Sequence, residues 1–149
     1  MNSRAGSPRV LYSFPHRLGA DRICYTAWQQ VNGLAAAGAD VTVMAASLQR
    51  PVPPGVSVHA TLSVGAARLP YRVLGNKRTF ALHDWIVSRR LERVGRAFDI
   101  VHVWPQGGLR TLTVAQRLGI PTVMERPNAH TRFAYEAVRT RWNPRRLRA

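Results

Sequence analysis

Apolar residues recur along this chain with two different periods, and the changes from one to the other outline alternating strands and helices. Residues 9–14 (RVLYSF) form a short apolar run that predicts a strand. After the loop PHRLGADR, Cys24, Ala27, Trp28, Val31, Leu34 and Ala35 fall at helical spacing, and Gly38 supplies the stop. Residues 41–46 predict a second strand, and a proline-rich turn, PVPPG, leads into a third at 56–62. Strand, helix and strand within the first 46 residues are the signature of a right-handed crossover unit.

Residues 63–77 have scattered apolar positions, Pro70 and Gly75, and no clear period. A helix is predicted at 79–98, where Val87, Leu91, Val94 and Phe98 step by four, three and four. Arg89, Arg93 and Arg96 lie off that stripe and read as a solvated face rather than a phosphate track. Residues 100–104 predict a strand. Beyond Pro105 and the Gly107–Gly108 pair, Leu109, Leu112, Ala115 and Leu118 recur at three-residue steps as the stripe of a further helix. Gly119 and Pro121 end it, and 122–125 predict a last strand. Short β-branched strands covered on both faces belong to parallel sheets. The expected fold class is therefore α/β: a Rossmann-like three-layer domain with a mostly parallel sheet.

In such folds the ligand crevice lies outside the carboxyl ends of the strands. Arg126, Asn128 and His130 follow the last predicted strand, and Gly19 follows the first, so these four are the candidate site residues. An imidazole can donate or accept a hydrogen bond near neutral pH, which suits His130 to a polar ligand group. Three of them also have a plain structural alternative. His130 could cap the next segment, Gly19 could serve a turn needing positive φ, and Asn128 after Pro127 could be turn chemistry. His102, inside an apolar strand, reads as a packed residue.

A length of 149 residues suits one domain with a real core, and 46% hydrophobic residues with four Trp indicate a globular chain. The start, MNSRAGSP, lacks a signal-peptide core, and no later stretch approaches a membrane span, so a cytoplasmic location is expected, with peripheral attachment at the inner membrane face as a further option. Cys24 is alone and can form no internal disulfide. The formal charge is +15, and Lys77 is the only lysine among 22 basic residues. Such a balance would attract phosphates, anionic lipid surfaces or nucleic acid. Residues 139–149, RTRWNPRRLRA, carry five Arg and no acid. They are either a basic tail for an anionic partner or a truncated or frame-shifted end.

Several chemistries lack their residues. There is no GxGxxG after the first strand, no GxxxxGK[ST] and no GxSxG, and the five His do not cluster with Cys24 at metal-ligand spacing. No cofactor and no metal are expected. Without a helix-turn-helix, zinc finger or aromatic-interleaved basic motif, nucleic acid is disfavoured as a partner. A non-enzymatic basic module binding nucleic acid or an anionic membrane remains the alternative function.

RVLYSF with its glycine-bearing loop, the helix ending in LAAAGADVTVMAAS, then DIVHVW and GIPTVMERPNAH, occur in an order and spacing that resemble the N-terminal domain of GT-B glycosyltransferases of family 4. The resemblance covers residues 9–138, with 1–8 a flexible start and 139–149 a basic tail. It implies half of a two-domain retaining enzyme, in which this domain binds a carbohydrate or lipid-linked acceptor and a C-terminal domain binds the nucleotide-sugar. It further implies that the loop holding Gly19 approaches donor phosphates and acceptor, and that His130 contacts the transferred sugar near the reaction centre. Two departures stand out. Gly19 is single where the family has adjacent glycines, and the donor domain with its two spaced glutamates is missing; Glu92, Glu125 and Glu136 do not have that spacing. Such a chain is expected to bind no nucleotide-sugar tightly and to be inactive alone.

Overall fold

The computed structural model describes residues 6–64, 67–68 and 74–126. Five strands form one parallel sheet: β1 (Arg9–Leu18), β2 (Asp40–Leu48), β3 (Ser57–Ala60), β6 (Ile100–Val103) and β7 (Thr122–Met124), in the order β3-β2-β1-β6-β7. Helix α1 (Ile23–Ala36) joins β1 to β2, α2 (Asn76–Val94) leads back across the sheet to β6, and α3 (Leu109–Arg117) joins β6 to β7. A small antiparallel ribbon, β4 (Ser63–Val64) with β5 (Ala67–Arg68), precedes α2.

The pleat sorts side chains into two cores. On β1, Leu11 faces α2 and α3 with Met44, Val87, Leu91, Val101, Val103, Val114 and Ala115. Its neighbours Tyr12 and Phe14 face α1 with Ala27, Val31, Val41, Val43 and Ala45. Helices thus cover both faces of the sheet, and the chain is an α/β Rossmann-like three-layer domain. Chain direction accounts for the layering: strands added in one direction place α1 on one face, and reversal toward β6 and β7 places α2 and α3 on the other, since such crossovers are right-handed. Asp99 fastens the opposite edge, accepting bonds from the Arg9 backbone at 2.8 Å and from its guanidinium at 2.8 and 3.1 Å. That pairing holds the Asp99 carboxyl down at about 2.

Several element bounds differ from the sequence expectation. β1 runs four residues further, through a bulge between Phe14 and Arg17 that carries the strand past Pro15. Pairing with β2 resumes at Arg17 and Leu18, so the proline sits where the ladder is already interrupted. α2 begins earlier than residue 79 and gives way to a 3-10 turn, Gly95–Ala97. Val94 is consequently exposed, and the buried stripe is Phe80, His83, Val87 and Leu91. In α3, Leu109 is also exposed, while Thr111, Val114 and Ala115 are buried. The reason is geometric: at 3.6 residues per turn, each three-residue step rotates by about 60° off the starting face, so Leu109 lies opposite Leu118. Residues 122–124 are all exposed, so the edge strand β7 is left uncovered among the described residues. Arg89, Arg93 and Arg96 are exposed, as their off-stripe positions predict.

Candidate functional site

The direction of winding reverses between β1 and β6, and doubly wound folds open their crevice at that point. β1 delivers Pro15, His16, Arg17 and Leu18 to the carboxyl edge, and β6 delivers Trp104 and the turn Pro105–Gly108. Gln106 in that turn has φ of 73°, a left-handed conformation uncommon for a side-chain-bearing residue. A Cβ on Gly107 would stand 2.7 Å from Pro15 Cβ, so the β1 bulge and the turn after β6 touch where only glycine fits. Beside them, Trp104, Pro105, Gln106, Leu109, Leu112 and Met124 line a cleft of about 170 Å³.

Under this edge lies a buried polar network. His83, on α2, is fully buried, with Nε2 3.0 Å from Ser13 Oγ on β1 and Nδ1 2.7 Å from Thr61 Oγ1. The Thr61 hydroxyl also reaches the Ala45 carbonyl at 3.2 Å. A hydroxyl has one proton, so Thr61 donates to Ala45 and accepts from His83 Nδ1–H, leaving Nε2 to accept from Ser13. Both ring nitrogens are satisfied by a neutral imidazole. Burial, with a smaller contribution from nearby His16, lowers its pKa to about 3. His83 is therefore a neutral clasp between sheet and helix. His16 sits nearer the surface, its ring edge-on to Phe80 at 4.9 Å, and burial lowers its pKa too.

The adjacent Asp84 is committed to the start of α3. Its Oδ2 accepts from the Arg110 N–H at 2.8 Å, and Oδ1 accepts from the Thr111 N–H at 3.0 Å and the Thr111 hydroxyl at 2.7 Å. A carboxylate from the neighbouring helix thus supplies the N-terminal cap that Gly108 lacks. The end of α3 that faces the crevice already has its anion. On the other face, Trp104 Nε1 donates to Tyr12 Oη at 2.7 Å, and Tyr12 donates to Gln30 at 2.6 Å. Burial pushes the Tyr12 phenol upward, which makes it a donor rather than a base.

Gly19 is buried with φ of +82°, and a Cβ there would meet Arg50 Cβ at 2.8 Å. Arg50 Nε donates to the Gly19 carbonyl at 2.8 Å while its guanidinium lies over the Tyr25 ring at 5.2 Å. The positive φ and this close packing are what the turn alternative for Gly19 requires. Arg126 is exposed just past β7, at the same sheet edge as Gly19 but with β6 and β7 between it and β1. Asn128 and His130 lie outside the described residues, as does 139–149. His102 is a packed strand residue, edge-on to Tyr12 at 4.7 Å and 3.7 Å from a Glu125 oxygen. Among the described residues no group of three or more His, Cys, Asp or Glu could hold a metal ion. Nor is any helix there long and apolar enough to cross a membrane.

The His83 network and the Asp84 cap escape a reading by apolar periodicity, which passes over polar residues. One signal did exist: His83, Val87 and Leu91 step by four along one helix face.

No family model and no curated protein matches the chain. Among solved structures, it is similar to the C-terminal domain of a hydrogenase from Pyrococcus furiosus, with 10% identity and a TM-score of 0.50 over 85% of this chain and 96% of that one. At that identity the likeness is one of fold.

Proposed function

We propose that the chain is the N-terminal, acceptor-side part of a GT-B glycosyltransferase similar to family 4. One observation supports this most: Gly19 after β1 and Arg126 after β7 both follow the carboxyl ends of parallel strands, the edge at which such folds open their crevice. RPNAH, with Arg126, Asn128 and His130, continues from that edge in the sequence. In this role the crevice takes a carbohydrate or lipid-linked acceptor, and His130 hydrogen-bonds the transferred sugar. The nucleotide-sugar is held by a separate donor domain. The Asp84 cap agrees with that division of labour, because it occupies one of the chain's own places for a phosphate.

The test is a transfer assay with UDP-, GDP- and ADP-sugars, run on the purified chain alone and after co-expression with a family-4 donor domain. The expected result is no turnover and no tight donor binding by the chain alone, with transfer in the pair that falls about 100-fold or more in His130→Ala. Robust turnover or tight donor binding by the chain alone would overturn the proposal, as would a pair indifferent to His130→Ala.

A further inference from the structure

Along the solvent side of α2, Arg78, Leu82, Trp85 and Arg89 follow at steps of four, three and four, so two apolar side chains stand between two arginines on one face. Leu82 shares an apolar groove with Val64 and Arg68 of the small ribbon. Trp85 shares the next groove with Arg89 and with Leu109 and Arg110 of α3. Val64, Leu82, Trp85 and Leu109 therefore form one band across ribbon, α2 and α3, with relative exposures of 87%, 37%, 49% and 77%. Contiguous exposure of this kind, rimmed by charge, marks an interaction surface.

Charge narrows the occupant. The two acids of α2 are engaged: Asp84 caps α3, and Glu92 accepts from Arg89 at 3.1 Å and from Arg117 at 2.7 Å. Arg68, Arg78, Arg89 and Arg110 border the band, on a chain of net charge +15. We propose that this face docks on an anionic membrane surface, with Val64, Trp85 and Leu109 at the boundary between headgroups and acyl chains and the arginines on lipid phosphates. A nucleic acid would satisfy the arginines but leave the aliphatic side chains without a partner. The proposal is independent of the glycosyltransferase reading.

Vesicle flotation of the full chain tests it, using phosphatidylcholine alone or with about one-third phosphatidylglycerol. Binding is expected only to the anionic vesicles, weakening in about 0.5 M salt. Val64→Ser/Leu109→Ser and Arg89→Glu/Arg110→Glu should each lower partitioning about tenfold, with circular dichroism unchanged because all four side chains are exposed. A blue shift of emission on binding should be lost in Trp85→Phe, and removal of residues 139–149 should leave binding largely intact. Equal binding to neutral vesicles, no binding to either, insensitivity to both double variants, or binding that vanishes with the tail alone would each overturn the proposal. So would tighter binding to single-stranded RNA that the same arginine variants abolish.

Discussion

Gly19 and His83 show how single residues set conditions for everything around them. At Gly19, a left-handed backbone and the pressure of Arg50 act together, so Gly19→Ala must absorb both conformational strain and a displaced side chain. The expected loss is about 1–3 kcal/mol, read as a lower urea midpoint; an unchanged midpoint would remove the packing role. His83 sets a pH limit. Its ordinary pKa of about 6.5 applies to the unfolded chain, whereas the folded site holds it near 3. Above 6.5 both states are neutral and stability is full. As pH falls below that value the unfolded chain takes up the proton and the folded one does not, so stability declines down to about pH 3. By pH 5 the loss amounts to about 2 kcal/mol. Urea unfolding across this range should show a flatter profile in His83→Gln; parallel profiles would assign the acid sensitivity elsewhere. The sequence displayed both residues but not these roles, since Arg50 and Thr61 reach them only through tertiary packing.

Elements were legible where apolar runs were short and strictly bounded. RVLYSF and DIVHVW marked β1 and β6, now neighbours at the centre of the sheet, because central parallel strands must be apolar on both faces. Periodicity misled at helix ends. Leu109 and Val94 looked like core residues by spacing, yet both are exposed, Leu109 because three-residue steps drift around the helix and Val94 because α2 gives way there to a 3-10 turn. The start of α3 depends on a partner that no local pattern reveals, since the capping carboxylate comes from α2. Asp84→Ala should therefore loosen α3 as a unit, costing about 2 kcal/mol through the lost cap and the loss of the Thr111 hydroxyl's short bond to the carboxylate. Hydrogen exchange should quicken first at Arg110 and Thr111. If those amides kept their protection, the cap would have another source.

For the molecule as a whole, the fold class followed from the alternation of elements, whereas the strand order did not, because no sequence pattern marks where the winding reverses. The candidate crevice was legible only as a region, the carboxyl ends of the strands; the reversal between β1 and β6 and the network beneath it were not, because buried polar residues obey no sequence period. Net charge alone pointed to anions as a partner class and to no place on the surface for them. The membrane face proposed above rests on which acids are consumed internally, Asp99 by Arg9 and Glu92 by Arg89 and Arg117, and on which apolar residues remain outside among the arginines. The contact between Gly107 and Pro15 has a consequence for how such a domain could diversify. Position 107 is closed to every side chain while Pro15 keeps its place, so variation at this joint needs two coordinated changes, one in the β1 bulge and one in the turn after β6.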